Sequence, residues 1–202
     1  MVIDKETYNL TDKNYYNVET NKKLIVLGNS LSDKDNHIKG WENRMCGEYK
    51  KTSTYSIFRN GDIYEHFNPK YYSNFIGVDK VDKKIISIIF ENQGWLNKDL
   101  KNDRYFNWVG NIYKRNKSVY EKRWRGFVYW DNYTNKQMKS CIFLIEHLCE
   151  KFNIEKKCVG HNTYIEGIDM FEGVTYRSNF QREYTDLNPS WDFKKFKKLI
   201  EN

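Results

Sequence analysis

Residues 22–30 read KKLIVLGNS and residues 83–91 read KKIISIIFE. Each opens on two lysines, runs through a short apolar stretch, interrupted in the second only by Ser87, and stops at polar residues. A run of four to eight residues rich in Ile, Val and Leu is the mark of a strand buried on both faces. Both therefore read as central strands of a sheet with helices on either side. Asn92-Gln93-Gly94 closes the second. Between the two lies TSTYSIFR (52–59), then Asn60-Gly61, then DIYEHF (62–67). Asn-Gly between β-prone runs is the strongest short-range hairpin signal, because glycine and asparagine tolerate the positive φ of a tight turn.

Working outward, Ser32 or Asp33 is positioned to cap a helix running to about Arg44, with Ile38, Trp41 and Met45 at helical spacing. Thr134 caps a second helix, about Asn135 to Phe152. Met138, Cys141, Ile142, Ile145, Leu148, Cys149 and Phe152 form its apolar stripe. A short strand with a turn at Cys158–His161 follows, then a long loop to Asn188-Pro189. A last helix covers about Asp192–Ile200. This order predicts an α/β fold, a single mixed β-sheet flanked by helices, over residues 22–202. Residues 1–21 read as a polar N-terminal arm with tyrosines interspersed. Residues 95–133 read as an irregular, aromatic-rich insertion. There is no internal repeat.

Aromatic residues make up 17% of the chain, which is high. Two prolines exclude Pro-rich and collagen-like architectures. No apolar run reaches the roughly 18 residues of a membrane helix. The start, MVIDKETYNL, lacks a basic-then-apolar export pattern, so synthesis in the cytoplasm without a signal peptide is expected. The net charge of +7 favours polyanions in general. The lysines are scattered, however, and form no basic stripe of the kind that reads nucleic acid, so nucleic acid is not an expected partner. Cys46, Cys141, Cys149 and Cys158 form no CxxC pair, which argues against a zinc ribbon. Cys141 and Cys149 read as small buried hydrophobes.

The order LIVLGNS, FRNGDIYEHF, IISIIFENQGWL, long helix, VGHNTY, LNPSWDFKKF resembles the N-acetylmuramoyl-L-alanine amidase type 2 and peptidoglycan recognition protein family, which includes phage lysozyme-like amidases. The resemblance spans roughly residues 22–200, without the aromatic insertion. It implies a zinc ion on three protein ligands, with an activated water cleaving the amide between a lactyl carbonyl and L-alanine. Carried over by position, the first ligand falls at Gly28 or Asn29. The second falls at His161, the one family ligand retained. The third falls at Asn188, before Pro189. The family's lysine near the last ligand is here Asp186, and its glutamate falls at Ile89. Glu91 lies two residues on, hence on the same strand face, and is the candidate catalytic carboxylate.

An asparagine carbonyl is a poor zinc ligand, so this pattern implies a degenerate metal site with no cofactor. A rescued Zn²⁺ site from His161, Asp186 and either His37 or Cys158 is the alternative. Trp95, Trp108, Trp124 and Trp130 are candidate sugar-stacking residues, or simply the core of the insertion. The segment GVTYRSNFQREYTDLNPSWDF (173–193) is unusual for the active amidases; in it Arg177, Ser178 and Asn179 form a polar cluster, and Arg177 and Asp186 are candidate binding residues. His147 reads as solvated, His66 as packed at a strand end, and His37 as a surface or half-buried helix residue. The resulting expectation is a pseudoenzyme of the amidase fold. It would bind peptidoglycan or other virion proteins and would be virion-associated, as a phage tail or baseplate component. The alternatives are an active amidase with an altered metal site, and a polyanion-binding or regulatory protein.

Overall fold

The computed structural model describes all 202 residues. Ten strands and five helices alternate along the chain. β1 (Ile3–Asp4), β2 (Leu24–Asn29), α1 (Asn36–Asn43), β3 (Tyr55–Ile57), β4 (Ile63–Glu65), α2 (Asp79–Asp82) and β5 (Ile85–Phe90) form the first half. β6 (Trp95–Asp99), β7 (Arg104–Phe106), β8 (Val119–Trp124) and β9 (Phe127–Asp131) follow. α3 (Asn135–Phe152), β10 (Gly173–Tyr176), α4 (Arg177–Phe180) and α5 (Phe193–Glu201) complete the chain. No helix is long and apolar enough to cross a membrane.

The main sheet is mixed, in the order β1-β4-β3-β5-β2-β10. β2 and β5 lie parallel at its centre, Leu24 opposite Ile85 through Asn29 opposite Phe90. Every residue of both strands is buried. Their alternate side chains divide between two cores. Ile25, Leu27, Ile86 and Ile88 pack with Leu144, Ile145 and Leu148 of α3 and with Phe196 of α5. Leu24, Val26, Ile85 and Ile89 pack with Ile38 and Trp41 of α1 and with Phe67 and Phe75. α3 starts where its cap predicts: the Thr134 hydroxyl accepts from the Gln137 amide, and the Gln137 side chain answers at Thr134.

Four features depart from the sequence reading. The insertion is regular: β7-β6-β9-β8 form a second, antiparallel sheet. The stretch read as a long loop contains β10, which pairs parallel with β2 from Gly173↔Leu24 to Tyr176↔Leu27. Cys158 makes only an isolated bridge to Val174 on the outer side of that strand. Helix α1 stops at Asn43, and Met45 and Cys46 take positive φ, which turns Met45 out to solvent. Beside these four departures, the N-terminal arm lies on the domain. β1 pairs with β4, Tyr16 bridges to Tyr72, and Leu10 and Asn14 are buried.

Candidate functional site

The chain leaves β2 toward β3 on one side of the sheet. From β5 it travels, through the insertion and α3, to β10 on the other side. The carboxyl ends of β2 and β5 therefore flank a topological switch point, the place where open α/β sheets leave a crevice. Asn29 ends β2, and Glu91, Asn92 and Gln93 follow β5.

An ion pair fills the crevice beside β2. Arg177, just past β10, donates from Nε to Asp186 Oδ2 at 2.8 Å and from Nη2 to the Asn29 carbonyl at 3.3 Å. Its guanidinium lies over the rings of Phe75 and Tyr184. Asp186 also accepts from the Asn29 amide at 3.1 Å. Gly28 makes room for this arrangement: a Cβ there would stand 2.7 Å from Asp186 Oδ2 and 3.3 Å from Arg177 Nε. A side chain as large as imidazole at position 28 has no space while the pair is present.

The other carried-over positions are spent in structure or dispersed. Asn29 donates from Nδ2 to the Tyr133 hydroxyl, and its Oδ1 is buried without a partner. Asn188 donates to Asn92 Oδ1 and to the Asp131 carbonyl, while its Oδ1 accepts from the Ser190 amide and hydroxyl. His161 is exposed. Its Nδ1 is engaged by Thr163, on the loop before β10. Cys158 meets the Tyr176 hydroxyl, and burial raises its thiol pKa. For a zinc ion three donors must converge. No three His, Cys, Asp or Glu side chains do so here. A lone carboxamide oxygen beside an internal salt bridge is not a zinc donor set, and the residues present do not fit the metal.

Glu91 is a bracket. One carboxylate oxygen accepts the Lys34 amide at 3.0 Å and the other the Arg59 amide at 3.0 Å, and the residue is buried. It pairs with no lysine side chain. His37, read as a surface or half-buried residue, is buried under Trp41. It shares the Ser56 hydroxyl with His66 at 2.9 and 2.7 Å. Burial in this apolar pocket lowers His37 to about 3 and His66 to about 4. His147 is exposed, as its helix face predicts.

The open space is a groove between α1, the strand ends and the insertion. It has two chambers, of about 780 Å³ and about 450 Å³. Leu31, His37, Trp41, Arg44 and Trp108 line both. Trp95, Arg177 and Asp186 line the smaller one. Trp130 is wholly buried, its indole N–H given to the Lys122 carbonyl, so this ring is core and offers no stacking face. Trp124 packs against it, outside both chambers. The sequence reading had no signal for Gln93, Asn107 or Asp131, because the insertion's strand pairing was not legible.

The family model described as N-acetylmuramoyl-L-alanine amidase matches residues 17–173. Among curated proteins, none matches the chain. Solved structures of several amidases share the fold. N-acetylmuramoyl-L-alanine amidase LysC from Clostridium intestinale URNW superposes with a TM-score of 0.54 at 12% identity, covering 98% of this chain and 96% of that one. AmiD from E.coli, solved with its substrate anhydro-N-acetylmuramic acid-L-Ala-D-gamma-Glu-L-Lys, gives 0.58 at 14%, with 98% and 65% covered. PlyL gives 0.57 at 11%, with 100% and 98% covered. Identities this low carry the fold alone. With a family match over well more than half its length, and with that family's mixed sheet, this chain belongs to the N-acetylmuramoyl-L-alanine amidase family.

Proposed function

We propose that this protein is a cell-wall-binding member of the amidase family that holds peptidoglycan without hydrolysing it through zinc. One observation carries the reading: the Arg177–Asp186 ion pair occupies the end of β2, where Gly28 leaves it just enough room. A fixed internal cation stands where the family resemblance expects an open metal. A second observation supports it. The family match stops at Gly173, before Arg177, Asp186 and Asn188. The matched stretch includes Gly28, Asn29 and Glu91, and both members of the ion pair lie outside it. A binding role of this kind suits a virion-associated component that attaches to a cell wall.

The test is metal content and amide cleavage on the same purified protein. The expected result is less than one zinc in ten chains and an unfolding midpoint unchanged by chelator. The protein should co-sediment with peptidoglycan sacculi without releasing new amino termini. One zinc per chain, with chelator-sensitive release of amino-terminal L-alanine, would overturn the proposal in favour of an active amidase with an altered metal site.

A further inference from the structure

The chain's positive charge is not spread evenly over the fold. Residues 95–133 hold nine Lys and Arg against four Asp and Glu, so the insertion carries +5 of the total of +7. Two of its four acids are already spent: Asp131 is buried among its partners, and Asp103 pairs with Lys98. Lys101, Lys114, Lys117, Lys122 and Arg123 are exposed with no carboxylate in ion-pair reach. Along the sequence these cations read as scattered, and the second sheet collects them on one small unit.

β8 is an edge strand of this sheet and holds the densest part of the surplus. The register slips between Glu121↔Tyr129 and Trp124↔Phe127, so Lys122 and Arg123 stand in a bulge with only Val128 across from them. A bulge bends its strand and re-aims the side chains within it. Lys117 lies in the turn just before the strand. Charged residues also guard edge strands against self-pairing. That role accounts for Lys122 and Arg123 and leaves Lys101, Lys114 and Lys117, which lie off the strands, without a reason. At about 4.8 Å between neighbours, four strands span about 14 Å. Cations spread over that width suit a chain that repeats its anion, because a single exposed phosphate would meet only one or two of them.

The aromatic residues narrow the partner. Trp95 stacks on Phe127 at 4.4 Å, and Tyr105 meets Tyr129 edge to face under the Lys98 ammonium. The Arg125 guanidinium lies 4.6 Å from the centre of the Trp124 ring. Rings closed on one another leave little open face for bases, on which the binding of single-stranded nucleic acid depends. We infer that the insertion sheet, along β8 and the turns beside it, binds a polyol-phosphate polymer of the cell wall, a flexible chain of phosphodiesters without bases. Lys101, Lys117, Lys122 and Arg123 line neither chamber of the groove, so this surface is separate from the crevice. The identity of the polymer rests on the cell-wall reading.

The experiment is calorimetric titration of the full chain with a synthetic oligo(glycerol phosphate), with oligo(dT) and polyglutamate as rival polyanions. Co-sedimentation is measured in parallel with native sacculi and with sacculi stripped of phosphate polymers by hydrofluoric acid. Wild type should bind oligo(glycerol phosphate), with log affinity falling about 0.7 per phosphate contact for each tenfold rise in salt. The triple variant Lys117→Glu, Lys122→Glu, Arg123→Glu should bind at least about tenfold more weakly, and its counterpart with Gln at the three positions should fall between. Lys194→Glu, Lys195→Glu, Lys198→Glu changes the net charge as much on α5, and screening should keep it within about twofold of wild type. All these side chains are exposed, so circular dichroism should show each variant folded. Failure of wild type to bind oligo(glycerol phosphate) overturns the proposal, as does binding that ignores salt. Equal losses in the two Glu variants would reduce the effect to net charge and overturn the surface assignment. Tighter binding of oligo(dT) overturns the polymer in favour of nucleic acid, and equal binding of polyglutamate overturns the phosphodiester. If native and stripped sacculi bind alike, the polymer inference fails and the cell-wall reading stands. If neither binds, both fail.

Discussion

The two sheets of this chain are fastened by different forces. In the main sheet, β2 and β5 are buried along their whole length, and apolar side chains on both faces meet helices. In the insertion, only Leu96, Tyr113 and Trp130 are fully buried among the hydrophobics of residues 95–131. Three side chains are a small core for four strands. What fixes the second sheet to the first is Asp131. Its carboxylate accepts from Arg59 of the hairpin at 3.0 Å, from the Tyr113 hydroxyl at 2.6 Å, from Arg115 at 3.3 Å and from the Gln93 amide at 2.8 Å. Its carbonyl accepts from Asn92 and Asn188. One fully buried anion therefore joins the insertion, the hairpin, the end of β5 and the C-terminal segment. Apolar area holds a sheet without aiming it, whereas a hydrogen-bonded charge sets one geometry. The groove needs that geometry, because the insertion forms one of its walls.

The comparison breaks most clearly at Asp131. Asp131→Asn keeps the volume and leaves Arg59 and Arg115 without their shared anion. Removing one partner of a buried pair costs about 3–5 kcal/mol. Urea unfolding should show a loss of that size, and limited proteolysis should cut first within residues 95–131. A loss under about 1 kcal/mol would mean that the aromatic pairs hold the insertion by themselves.

Leu148→Ala tests the other side. Leu148 is fully buried under the main sheet, and such truncations cost about 2–5 kcal/mol. The insertion should keep its wild-type proteolysis pattern in this variant under native conditions. The Arg177–Asp186 pair, at 2.8 Å with side chains 12% and 2% exposed, falls between the two regimes. Arg177→Met should cost about 2–3 kcal/mol. The double variant Arg177→Met, Asp186→Leu should recover most of that loss, because the stranded buried charge is removed with its partner. A double variant worse than the single would show that the pair stabilises beyond its own desolvation.

The main sheet also carries a polar inclusion, His37–Ser56–His66, and acid should find it. Both imidazoles stay neutral in the fold, at about 3 and about 4, while the unfolded chain protonates them near 6.5. The unfolded state binds more protons, so stability falls as pH drops from about 6.5 toward 4. Each such proton is worth about 1.4 kcal/mol per pH unit. Asp82, raised by burial to about 6, binds its proton in the fold and offsets about one of the two between pH 4 and 6. Urea titrations at pH 7, 6 and 5 should show a net decline of about one proton's slope, and a flat profile would contradict buried neutral histidines. The smallest effect belongs to the cap: Thr134→Ala should cost about 1 kcal/mol and leave the groove intact.

Much of the scaffold was legible. The buried strands, the Asn60-Gly61 hairpin and the α3 cap follow from local rules, because apolar runs, turn residues and capping hydroxyls act within a few residues of themselves. The second sheet was harder to read, although Arg125-Gly126, both at positive φ, marks the tight turn between β8 and β9. Its aromatics are useful only in pairs, as with Trp95 opposite Trp130, and a pairing partner 35 positions away leaves no local period.

The candidate site was legible by position and not by contact. Asn29 ends β2, Glu91 follows β5 and Asn188 lies in a loop, and what each side chain does there depends on residues far along the chain. Asp186 reaches the Asn29 amide across 157 positions, and Glu91 brackets Lys34 and Arg59. Sequence by itself determined the α/β class, the buried centre of the sheet and the family resemblance, since these rest on periodicity and local chemistry. Only the tertiary structure decided that β10 lies beside β2, that an ion pair fills the strand end, and that the insertion walls a second chamber. Those outcomes depend on hydrogen bonds and packing between segments whose separation in sequence carries no trace of their distance in space.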